Sequence, residues 1–135
     1  MTQVIGIDHV AITVADMDAT CAFYRDLFDA QTVAEHPPEG RVLVRQIALG
    51  GALLSVHQAG NGLELVAKHP TIGAADICLR WSGNIAEAVA LLQRHGVEVT
   101  EGPTPRRTND GLPSQSVYFR DRDGNLLELM AENSN

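Results

Sequence analysis

Asp121-Arg122-Asp123-Gly124-Asn125-Leu126-Leu127-Glu128-Leu129-Met130 is a charged turn built on Asp-Gly that drops into a short apolar strand, the signature of a hairpin. One carboxylate, Glu128, stands among its leucines. An ionised Glu left among core residues costs several kcal/mol, of order, unless something pairs with it. Glu128 therefore faces either water or a cation. Residues 115–120 read as the other arm of this hairpin.

Upstream, residues 5–14 read as a strand by length and β-branched content. Alternation puts Val10, Ile12 and Val14 on one face and His9, Ala11 and Thr13 on the other. Asp16 or Asp18 can cap a helix running to about Asp29, with Cys21, Tyr24, Leu27 and Phe28 on one stripe. Residues 31–34 make a short strand, 36–40 a turn, and 41–49 and 52–57 two strands joined at Gly50-Gly51. Residues 58–73 form a polar, Gly-rich linker in which Pro70 excludes a regular strand interior. Then the order restarts. Residues 74–81 are a strand, and Asn84 caps a helix bearing Ile85, Val89 and Leu92 that stops at His95-Gly96. Residues 97–100 are a short strand, and 101–114 a loop with three prolines and two arginines.

At 135 residues the chain is one domain by length, and 44% hydrophobic with 20% charged residues is ordinary for a globular protein. A formal net charge of -7 argues against nucleic acid or an anionic membrane as partner, since both call for a basic surface. No apolar run approaches the ~20 residues of a membrane span. The amino terminus lacks the basic and apolar regions of a signal peptide, so a cytoplasmic protein is expected. Two cysteines, Cys21 and Cys78, make no disulfide framework, and each is expected to be a buried free thiol.

The two halves repeat in outline. A shift of 67 residues lays His9 on Asp76, Val10 on Ile77 and Ile12 on Leu79. A shift of 71 lays His57 on Glu128. Each half thus places one metal-capable side chain early in its first strand and another on its last strand. Taken singly, each has an ordinary alternative: His9 a hydrogen-bonded strand residue, His57 a solvated strand end, Asp76 a turn carboxylate, Glu128 a surface acid. Together, two imidazoles and two carboxylates are a reasonable set for a divalent metal such as Zn, Ni, Mn, Fe or Co.

Ile7-Asp8-His9-Val10-Ala11-Ile12-Thr13-Val14, Phe23-Tyr24-Arg25-Asp26-Leu27-Phe28 and the run Val117-Tyr118-Phe119-Arg120 leading into the Asp121 hairpin resemble the vicinal oxygen chelate superfamily. That superfamily includes glyoxalase I, fosfomycin-resistance enzymes, methylmalonyl-CoA epimerase, extradiol dioxygenases and bleomycin-resistance proteins. Leu54-Ser55-Val56-His57-Gln58-Ala59-Gly60, Ala75-Asp76-Ile77-Cys78-Leu79 and Glu101-Gly102-Pro103 resemble, more narrowly, its short bacterial virulence-protein and glyoxalase-domain-five group.

The resemblance implies an α+β fold of two βαβββ modules, about 4–58 and 73–132 of a single domain at 1–135. Their mixed sheets curl around a metal-binding cavity, with helices outside. It puts His9, His57, Asp76 and Glu128 at the metal positions, with the middle two exchanged relative to the His, carboxylate, His, carboxylate order of glyoxalase I. It implies a lyase or isomerase acting on a small substrate chelated by the metal, with Glu128 as ligand and base, and a homodimer. Without Asp76, two His and one carboxylate would be the facial set of a non-haem Fe(II) extradiol-type dioxygenase. A binding protein that sequesters an antibiotic is the third reading. It needs an aromatic-lined groove, and the chain has only one Trp, two Tyr and three Phe. In the 102–114 loop, read as a lid or rim, Arg106 and Arg107 could clamp a substrate anion. The resemblance favours Arg107, and Tyr118, on one face of the penultimate strand with Ser116 and Arg120, is the other candidate for substrate contact.

Overall fold

The first strand, β1 (His9–Val14), starts at His9 rather than at residue 5, and its partner explains why. Strand β4 (Ala52–Gln58) runs parallel to it and pairs Leu53 with His9. Residues before His9 have no such partner, and Ile5 and Ile7 lie exposed. The computed structural model describes residues 2–133.

Helix α1 (Met17–Phe28) is capped by Asp16, whose side chain accepts from the Ala19 N–H at 3.0 Å. That settles the choice of cap, worth about 1 kcal/mol, and leaves Asp18 to pair with Arg45 at 2.7 Å. Strands β2 (Thr32–His36) and β3 (Val44–Leu49) complete a sheet ordered β1-β4-β3-β2, parallel only between β1 and β4. Strand β3 starts three residues later than its composition suggested. Alternate residues Ile12, Val14, Leu54, Val56 and Ile47 are buried along with Tyr24 and Leu27 of the helix, the interior set of a sheet face covered by one helix.

The second half repeats the course. Strand β5 (Asp76–Trp81) leads to helix α2 (Ile85–Arg94), capped by Asn84 through a bond from the Glu87 N–H at 2.9 Å. Ala88 and Leu92 are its buried residues, a narrower stripe than the sequence suggested. Strands β6 (Glu101–Arg107), β7 (Pro113–Arg120) and β8 (Leu126–Glu132) close a sheet ordered β5-β8-β7-β6, again with one parallel pair, β5 with β8. Val117, Phe119, Leu127, Leu129 and Ala131 fill its interior face.

Here two expectations fail. Residues 97–100 form no strand, and the proline-bearing stretch read as a loop is β6. Its place explains this: β6 is the sheet edge, where one side of the strand needs no ladder bonds, so Pro103 and Pro105 are tolerated. Only residues 108–112 remain as a loop between β6 and β7.

The Asp121 turn is tied down from inside. Asp121 Oδ1 accepts from the N–H groups of Asp123 and Asn125, both at 3.0 Å, and its Oδ2 accepts from Asn125 Nδ2 at 2.8 Å. Asn125 Oδ1 in turn accepts from the Ala75 N–H at 2.8 Å, fastening the turn to the start of β5.

The chain parts between Ile72 and Gly73 into two compact units, each an α+β βαβββ module with an open, mixed four-stranded sheet. Among the described residues no helix is long and apolar enough to cross a membrane.

Candidate functional site

The strand ladders set which residues of the two units correspond. His9 pairs with Leu53, and Asp76, its counterpart at a shift of 67, pairs with Leu126. The last strands are therefore related by a shift of 73, not 71. The counterpart of Glu128 is Ser55, and that of His57 is Met130. Matching polar residue to polar residue along the sequence had slipped the register by two, about 6.6 Å along the strand. An even slip keeps each side chain on its face. His9, His57, Asp76 and Glu128 accordingly all lie on the face of their own sheet away from the buried interior set.

In the first unit, His9 and His57 line one cleft of about 760 Å³ with His36, Gln46, Ser55 and Leu63. His9 Nδ1 lies 2.8 Å from Asp8 Oδ1, an arrangement that leaves Nε2 as the other ring nitrogen for a further partner. Burial, and next the nearby His9, push the His57 imidazole below its ordinary range, toward the neutral form that binds metals. Ser55 is already used, since its hydroxyl accepts from Gln46 Nε2 at 2.9 Å.

In the second unit, Glu128 is flanked in register by Cys78 on β5 and Tyr118 on β7. Its Oε2 is buried and has no hydrogen-bond partner. Burial first, and then the charge of Glu128, push the Cys78 thiol up to about 11. Cys21 is buried as expected, but Cys78 is an exposed residue of the site face. Asp76, one register step away opposite Leu126, is exposed. The Tyr118 hydroxyl accepts from Arg106 Nε at 2.8 Å, and that guanidinium lies 5.5 Å from the ring centroid. Arg107 does not share this face. Alternation along β6 turns it away, and its Nη1 donates to the Gly111 carbonyl at 2.8 Å, closing the 108–112 loop. Reading the sequence missed Ser55 and Cys78. Only ladder register could have singled them out.

Two βαβββ units, each with an open mixed sheet, define the fold class. The sequence profile of the Glyoxalase/Bleomycin resistance protein/Dioxygenase superfamily matches residues 6–129, and the chain belongs to that superfamily. RDO1 of Mycosarcoma maydis, a glyoxalase domain-containing protein, is 38% identical over 124 residues, covering 92% of this chain and 66% of its own length. Virulence protein STM3117 of Salmonella typhimurium is 33% identical over 125 residues, 91% of this chain and 81% of that protein. Its crystal structure matches at a TM-score of 0.87 and 30% identity, covering 98% of this chain and 100% of the other. A point mutant of the fosfomycin resistance protein FosX of Listeria monocytogenes, solved with Mn(II) and 1S,2S-dihydroxypropylphosphonic acid, shares the fold at a TM-score of 0.66 and 22% identity, covering 97% and 93% of the two chains.

Among the described residues no three His, Cys, Asp or Glu side chains converge on one point. The donors come as a pair in each unit. Their chemistry fits a dication nonetheless. A buried carboxylate oxygen without a partner asks for a positive neighbour, and a neutral imidazole beside a second one offers nitrogen ligands.

Proposed function

We propose that this chain is a metal-dependent enzyme of the glyoxalase-like, lyase or isomerase type, acting on a small oxygen-rich substrate. The observation that carries the reading is Glu128 Oε2, buried without a partner on the site face. His9, His57, Asp76 and Glu128 are the proposed ligands, a homodimer is the proposed assembly, and the cytoplasm is the proposed compartment. A divalent ion (Zn, Ni, Mn, Fe or Co) supplies Lewis acidity toward two neighbouring substrate oxygens when bound. Glu128 moves a proton at its carboxylate. Tyr118, whose hydroxyl accepts from Arg106, has its own hydrogen left to donate to a substrate oxygen. The Mn(II) complex of FosX supports the choice of ion class.

The cleft around His9 and His57 is lined by no Phe, Tyr or Trp, which weighs against an antibiotic-binding groove.

Metal analysis of protein purified without an affinity tag tests the reading. Stoichiometric divalent metal is expected in the parent protein, and Glu128→Gln or His9→Ala weakens its affinity by about tenfold or more. Ser55→Ala leaves it unchanged. Full occupancy in both ligand variants overturns the assignment.

A further inference from the structure

Resting on the proposed reading of the Glu128 face, we infer that Arg106, held on the ring of Tyr118, is the anchor for an anionic group of the substrate, a carboxylate or a phosphonate. The substrate class then narrows from oxygen-rich to anionic.

Register puts Arg106 on this face. It pairs with Ser114, which pairs with Glu132, two positions along from Met130 and four from Glu128. Its guanidinium reaches back along β7 to Tyr118, the residue paired directly with Glu128. Three restraints hold it there: Nε on the Tyr118 hydroxyl at 2.8 Å, Nη1 on the Pro105 carbonyl at 3.0 Å, and the ring itself beneath the guanidinium. A long surface side chain usually loses rotamer freedom when it binds an anion, and here that loss is already taken.

All of these partners are neutral. Among the described residues no carboxylate lies within ion-pair distance of Arg106. By contrast, Arg80 on the same face has Asp110 at 3.9 Å and Glu132 at 3.7 Å, and Arg45 in the other unit holds Asp18 and Glu35. Arg120, on the same face as Arg106, is also without an ion pair among the described residues and rests on the Gly124 carbonyl alone at 3.2 Å, whereas Arg106 has two hydrogen bonds and an aromatic ring to fix it. Arg106 Nη2 and the second hydrogen of Nη1 remain, so a two-oxygen anion can take one bond from each nitrogen, a fork that an ammonium lacks. The acidic substrate end and the reacting end would then lie along one line of side chains, Arg106, Tyr118, Glu128.

The test titrates chelator-treated protein with inorganic phosphate, phosphonoacetate and malonate, followed by calorimetry and by chemical shifts. Two arms use phosphorus oxyanions and one uses carboxylates, so preference between them names the group. Saturable binding is expected, weakened by about tenfold or more in Arg106→Gln and only partly restored in Arg106→Lys, which keeps charge but not the fork. Arg107→Gln changes it by less than about twofold. Circular dichroism checks that each variant is folded, and Tyr118→Phe removes the Nε support if Arg106→Gln does not fold. Absence of saturable binding to the parent protein overturns the inference, as does equal binding by the Arg106 variants or an equal loss in Arg107→Gln. Metal content is measured on the same samples before chelation. Metal-free parent protein that still binds anions through Arg106 sinks the metal reading alone, whereas metal bound normally with no anion binding sinks the anchor alone.

Discussion

The two units follow one course and dress it differently. Where the second places Tyr118 beside Glu128, the first places Gln46 beside Ser55, and those two satisfy each other. One pair shares a hydrogen bond, while the other leaves a buried oxygen unpartnered among the described residues. The histidines show the same divergence. His9 keeps the position of Asp76, but His57 takes that of Met130. A duplicated fold therefore preserves faces, because burial enforces them, while letting each position on the open face take its own chemistry.

The turns that enter the last strands differ as well. The first unit uses two glycines, with Gly50 at φ +57°. The second uses the Asp121–Asn125 staple, which also fixes where β5 begins. This contrast gives the largest expected effect. Asn125→Ala leaves buried partners unsatisfied and lowers unfolding free energy by about 2–4 kcal/mol. Gly50→Ala, strained at positive φ but with open space around it, costs about 1 kcal/mol. Urea unfolding compares the two, and equal losses would dissolve the contrast.

The helix caps sharpen the likeness between the halves. Asp16→Ala and Asn84→Ala each remove one side-chain acceptor from an exposed helix start, and each is expected to cost about 1 kcal/mol in the same assay. A loss confined to one of them would mean that the capping role is not shared.

The smallest effect separates His57 from its counterpart Met130, which does not titrate. Burial and His9 hold the folded-state pKa of His57 below its unfolded value. The unfolded chain then takes up the proton first as pH falls. The resulting stability is fully present above about pH 6.5 and is lost as pH drops toward the native-state value. In metal-free protein, His57→Gln should flatten this part of the stability profile. An unchanged slope would show that His57 titrates alike in both states.

Much of the fold is legible in the sequence. Alternation of Val10, Ile12 and Val14 with His9 and Ala11 names the buried and open faces, and Asn84 stands where a helix start must be, while the choice between Asp16 and Asp18 for the first helix waits for the structure. These signals are local: a period of two, a capping side chain, an Asp-Gly turn. Placing β6 was not local, because Pro103 and Pro105 read as loop until an edge position removes the need for their missing donors.

The sequence by itself determined the paired βαβββ course, the faces of the strands, and the residue types available to a metal. Tertiary structure alone decided that Ser55, not His57, corresponds to Glu128, that Cys78 is open rather than buried, and that Arg106 rather than Arg107 shares the face of Glu128. Side-chain alternation is written into a strand, but which residue lies opposite which is set by pairing between segments dozens of residues apart.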